Sequence, residues 1–189
     1  MFYPQAQPYF IEKQVILNDK MRLAWSQHVY WTRMFLLSLI EKRSDLAATQ
    51  ARLMQNPADI GKVFADYYPP ETVAVIVKLL TEHLQIAAEL VTALRDGQTA
   101  QAEAKNTEWY KNADEMAKAF SGINPHYDYE ALRAMLYKHL DLTKQEAALR
   151  LAGDYPADIK AFDMVEQEAM MMADFFSAGL RQQFPELFT

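Results

Sequence analysis

Apolar residues recur at three- and four-residue steps through most of this chain, the period of helices that bury one face. Met21, Ala24, Trp25, His28, Trp31, Thr32, Phe35 and Leu39 share one stripe of a long helix predicted over about 18–42, with Asn18 as its cap. A shorter helix follows from Ser44 or Asp45 to about Gln55, and Asn56-Pro57-Ala58-Asp59 then reads as a fresh helix start: a capping asparagine, proline in the first turn and an acid beside the exposed N–H groups. A third long helix is predicted over about 71–95, ending before Gly97, and a more polar one over about 99–120 with a restart at Asn112. On this reading Asn56 and Asn112 are caps rather than binding residues.

Two further long helices complete the pattern. The stretch 127–151 aligns Leu132, Met135, Leu136, His139, Leu142, Glu146 and Leu149, and the stretch 157–183 aligns Ile159, Phe162, Asp163, Glu166, Ala169, Met170 and Ala173. The run Met170, Met171, Met172 reads as adaptable core. Residues 1–17 are aromatic and interrupted by Pro4 and Pro8, which predicts an extended arm. The simpler expectation is an arm packed on its own bundle; exchange of the arm with a second subunit, giving a homodimer, is the alternative.

An internal repeat adds a constraint. At an offset of 56 residues, IVKLLTEHLQIAAEL maps onto the segment around YKHLDLTKQEAAL, pairing His83 with His139, Leu80 with Leu136 and Leu84 with Leu140. The same offset pairs Asn56 with Asn112, Lys62 with Lys118, Phe64 with Phe120 and Pro69 with Pro125. The expectation is a duplicated all-α protein with the two copies at about 50–95 and 106–151, forming one domain over 18–189. Four long helices with shorter ones between them predict an antiparallel bundle.

Composition narrows the function classes. With five glycines there is little provision for a β fold or a phosphate-cradling loop. The chain lacks cysteine, which removes disulfides, thiolate metal sites and cysteine nucleophiles together. Charged residues make up 23% of the chain and no apolar run reaches the roughly 18 to 20 residues of a membrane span, so no membrane association is expected. Twenty-five acidic residues against 19 basic ones, without a basic cluster, argue against nucleic-acid binding. The start of the chain lacks the features of a signal peptide, and a cytoplasmic location is expected.

Candidate chemistry lies in ionisable residues that interrupt apolar stripes near mid-helix: His28, His83, His139 and Glu166. If neighbouring helices run antiparallel with level ends, these groups lie at comparable depth and converge on the bundle axis. Buried without partners, each costs on the order of 1 to 3 kcal/mol, so something must satisfy them. A divalent metal ion, iron, manganese or zinc, is one answer, with Glu146 and Asp163 in support. The other is a metal-free helical module that binds a small molecule or a protein, its histidines held by hydrogen bonds to groups such as Tyr30, Tyr137 or Asp163. The Glu-x-x-His pairs of di-iron bundles are missing, since Trp25, Leu80 and Leu136 stand three residues before the histidines. No G-x-S-x-G, P-loop or HExxH is present either, and whether the protein is an enzyme stays open.

The segments WSQHVYWTR, NPADIG, EHLQIAAEL, WYKNADEMA, YKHLDLT and DIKAFDMVEQEAMMMADFFSAGLRQQFP are similar to those of a family of uncharacterised bacterial all-helical proteins, over most of residues 20–185. The resemblance implies a helical fold and names no activity. In that family acids often precede the first histidine and a histidine often stands where Glu166 stands here, whereas this chain has Ser26, Gln27 and Glu166. More distantly, histidines and acids on facing long helices resemble ferritin-like and hemerythrin-like bundles, a likeness of architecture.

Overall fold

The computed structural model describes residues 8–188, and these are almost wholly helical, with no strand among them. The helices are α1 (Pro8–Ile40), α2 (Leu46–Leu53), α3 (Asn56–Phe64), α4 (Pro70–Arg95), α5 (Thr99–Ile123), α6 (Tyr129–Leu151) and α7 (Tyr155–Gln183), followed by a 3₁₀ turn at Pro185–Phe188. No helix of the described residues is long and apolar enough to cross a membrane.

Three boundaries differ from the sequence expectation. The first helix begins at Pro8, so residues 8–17 are helical rather than an extended arm; proline is tolerated in a first turn, where its missing N–H has no partner to lose. Residues 1–7, with Phe2, Tyr3 and Pro4, lie outside the described residues. Helix α5 runs unbroken through Asn112, and α3 has Gln55, not Asn56, at its cap position. Long helices therefore number five among the described residues, rather than four.

The helices close into a ring. α1 packs on α3, α3 on α4, α4 on α5, α5 on α6, α6 on α7, and α7 back on α1, while α1 also touches α4 and α6 across the middle. Short loops make α4–α5 and α6–α7 antiparallel hairpins, and α1 with α3 forms a third, with the small helix α2 inside its turn. Each turn is built alike. Lys42, Gly97 and Gly153 have left-handed backbones (φ 53°, 70° and 77°). In each turn the next residue's N–H reaches back five residues: Arg43 to the Ser38 carbonyl (2.9 Å), Gln98 to Ala93 (2.9 Å) and Asp154 to Leu149 (3.0 Å).

The core repeats in the same threefold manner. Met21, Ile76 and Leu132 are all buried, as are Trp25, Leu80 and Leu136, and Val29, Leu84 and Leu140. On the partner helices Ile60, Met116 and Met172 form one buried set, and Phe64, Phe120 and Phe176 another. These phenylalanines meet one another, with ring centroids 5.4, 5.7 and 4.7 Å apart. Spacings of 55 or 56 residues separate the members of every set, so the 56-residue period found between residues 50–95 and 106–151 runs through three hairpins. Each hairpin alone exposes an apolar face; three together bury it.

Candidate trihistidine site

His28 on α1, His83 on α4 and His139 on α6 stand some 14 residues before their respective turns, roughly 20 Å along the helices. Equal distance from equivalent turns puts the three at one level of the ring. Their ring centroids are 6.5 Å (His28–His83), 5.5 Å (His28–His139) and 6.4 Å (His83–His139) apart. All three are buried. The expected convergence of these mid-helix imidazoles is thus present in the structure.

Each ring is anchored through Nδ1 to the partner helix of its own hairpin. His28 Nδ1 lies 2.9 Å from Asn56 Oδ1, His83 Nδ1 3.0 Å from Asn112 Oδ1, and His139 Nδ1 3.1 Å from Glu168 Oε2. The amide orientation is fixed independently: Asn56 Nδ2 donates to the Ala24 carbonyl (3.0 Å) and Asn112 Nδ2 to the Leu79 carbonyl (3.2 Å). In both cases the accepting residue lies four before the histidine on the histidine's own helix. Oδ1 therefore accepts from the ring, the proton sits on Nδ1, and Nε2 keeps its lone pair. Burial, with a smaller contribution from the neighbouring His139, pushes His28 and His83 down to about 3 against the opposing asparagine bonds. Both rings are neutral at physiological pH.

Glu168 breaks the symmetry chemically. It occupies the third acceptor position, where the other two hairpins have asparagine, and it is 2% exposed. Its Oε1 has no hydrogen-bond partner, and its one ion-pair partner is His139. The indole Nε1 atoms of Trp25 and Trp109 are also buried without partners. Trp25 packs edge-on against His28 (5.6 Å) and Trp109 against His83 (5.2 Å).

The acids named from sequence lie elsewhere. Asp163 is exposed, and Glu166 is half-buried and accepts from Tyr30 Oη, so neither joins the histidines. The reason is angular: Glu168, two residues beyond Glu166, takes the inward face of α7. Glu146 is buried as expected, two turns from His139, but its carboxylate accepts from Arg33 (2.8 Å). Burial pushes Glu146 up to about 7 against the pull of that guanidinium. Tyr137 pairs with Asp114 and Arg133, not with a histidine.

Sequence reasoning assigned Asn56 and Asn112 to caps and passed over Glu168. The signal was available in the spacing, since His28–Asn56, His83–Asn112 and His139–Glu168 are separated by 28 or 29 residues, and Glu168 follows Asn112 by the same 56.

Among the described residues, no group of three or more histidine, aspartate or glutamate side chains is gathered tightly enough to hold a metal ion as it stands. Three imidazoles bound through Nε2 at about 2.0 to 2.1 Å have ring centroids about 5.2 to 5.5 Å apart. The His28–His139 pair already has that spacing, and His83 stands about 1 Å too far out. No known protein family, curated protein or solved structure matches the chain. The likeness to ferritin-like bundles accordingly finds no support beyond an all-helical fold.

Proposed function

We propose that the protein binds a divalent transition-metal ion on the axis of its helical ring, through Nε2 of His28, His83 and His139. The observation that carries this reading is the shared anchoring of the three rings: each Nδ1 is tied to an acceptor on its partner helix, which directs the metal-binding nitrogen of a neutral imidazole to the interior. Histidine ligands in metal sites are oriented by outer acceptors of this kind, and removing them weakens metal affinity 10- to 100-fold. Rings held neutral to about pH 3 offer no proton for the metal to displace.

Charge supports the same reading. Glu168 is a buried carboxylate with no cationic residue beside it except, when protonated, His139, and an uncompensated buried charge is costly. A dication among the imidazoles supplies the missing positive charge. An all-imidazole set favours zinc or iron(II) over manganese, which prefers oxygen ligands. Bound there, the ion would act as a Lewis acid with one coordination position left for a small ligand. Asn56, Asn112 and Glu168 would orient the rings and Trp25 and Trp109 would exclude bulk water.

The competing reading, a metal-free module, is favoured by one observation: every histidine already has its own hydrogen bond, and the rings are spaced slightly too widely for an ion. Elemental analysis of tag-free protein separates the two. Near-stoichiometric zinc or iron, lost in both His83→Ala and His139→Ala, is the expected result. Protein isolated metal-free that takes up neither ion when dialysed against it would overturn the proposal.

A further inference from the structure

One helical turn from the histidines toward the hairpin turns, the equivalent positions are Thr32, Ala87 and Thr143, four residues after His28, His83 and His139. They line a narrow apolar cavity of about 20 Å³, whose wall also includes Trp109. That volume holds one water molecule or a ligand of similar bulk. Two polar atoms on its wall are buried and unpartnered: the Thr143 hydroxyl and the Trp109 indole N–H. The corresponding Thr32 hydroxyl is used within its own helix, donating to the His28 carbonyl at 2.8 Å. Thr143 has spent no such bond. Elsewhere the cavity wall is supplied by aliphatic and aromatic side chains, among them Phe35, Leu84 and Val91.

A buried hydroxyl and an indole N–H left open in an apolar chamber are costly unless a guest accepts from them. The guest must be small, must accept hydrogen bonds and must lie on the same axis as the histidines, one turn away. We infer that this cavity is the chamber for an exchangeable small ligand of the trihistidine metal: water or hydroxide at rest, displaced by a small anion that accepts from Thr143 and Trp109. The inference rests on the metal reading above. Exchange is a substitution of lone-pair donors, with water leaving as the anion enters and no change of oxidation state.

The distinguishing experiment uses the full chain loaded with cobalt(II), whose visible spectrum reports its coordination, with azide as the probe. Cobalt uptake by itself reads the metal site. On the loaded protein, azide is expected to shift the spectrum with saturation. Thr143→Val is expected to bind cobalt normally and azide about 10-fold more weakly, the size of one charge-assisted hydrogen bond. Ala87→Leu, which fills the chamber, should keep cobalt and abolish the azide response. A loaded protein whose spectrum ignores azide, or Thr143→Val with unchanged azide affinity, overturns the chamber and leaves the metal site standing. Failure to take up cobalt at all overturns both.

Discussion

At the scale of single residues, the centre of this protein is a set of three imidazole–acceptor pairs, and their energetics are open to test. Replacing Asn112 by leucine removes two hydrogen bonds and strands the His83 N–H in the core, at an expected cost of about 2 to 3 kcal/mol. Removing both partners, as in His83→Phe with Asn112→Leu, should cost less than the two single changes together, by about 1 kcal/mol or more. Urea titrations in the presence of a chelator would measure both numbers, and strict additivity would deny the pair its role.

The same residues set the acid limit of the metal-free protein. His28 and His83 stay neutral in the fold down to about pH 3, while the unfolded chain takes up protons below 6.5. Their stabilisation is therefore complete above pH 6.5 and is lost as pH falls toward 3. Glu146, raised to about 7, works in the opposite sense, because between 7 and 4.5 the fold binds its proton more readily than the unfolded chain. From these three groups, stability should fall by roughly 1 kcal/mol per pH unit between about pH 6 and 4.5, and by about twice that below. Denaturant midpoints collected across this range would check the slope, and a profile flat to pH 4 would contradict it.

At the scale of elements, the hairpin is the repeating unit and its turn is the most regular feature. Two of the three turns satisfy their left-handed residue with Gly97 and Gly153, while the first uses Lys42. A side chain there costs about 1 to 2 kcal/mol, which glycine avoids while losing some of the gain to chain entropy. Lys42→Gly is expected to stabilise the protein by about 1 kcal/mol, raising Tm by about 2 to 4 °C, whereas Gly153→Ala should lower it by a similar amount. Thermal melts of the two variants give the comparison. The turn glycines and the helix starting near residue 70 were legible from sequence because they depend on local chemistry. The cap reading of Asn112 failed because the same side chain that caps a helix when exposed makes a long-range hydrogen bond when its helix face is buried. No local pattern distinguishes those cases.

At the scale of the whole molecule, the ring must be closed between its first and last hairpins, and a buried ion cluster near the turns does this. Arg33 of α1 binds Glu146 of α6 and, through both guanidinium nitrogens, Asp158 of α7; Arg150 reaches the same Asp158 and Glu41. Asp158 and Glu146 are 0% and 1% exposed, so they depend on the arginines. Arg33→Met leaves two carboxylates buried beside each other and is expected to cost about 3 to 5 kcal/mol. Adding Glu146→Gln to Arg33→Met should recover part of that loss. Chemical denaturation of the two variants is the measure, and an Arg33→Met protein as stable as the parent would show that the cluster does not close the ring.

The chain by itself determined an all-helical fold, the positions of most helices, a 56-residue period and the inward direction of His28, His83 and His139, because helix formation and amphipathic burial are read from neighbours within a few residues. Tertiary structure alone decided that the period runs through three hairpins, that Asn56, Asn112 and Glu168 hold the rings, and that Glu166 and Asp163 stay outside. Those outcomes depend on which face of one helix meets a residue some 28 positions away in another. A turn of 100° per residue makes a two-residue difference, Glu166 against Glu168, the difference between surface and core.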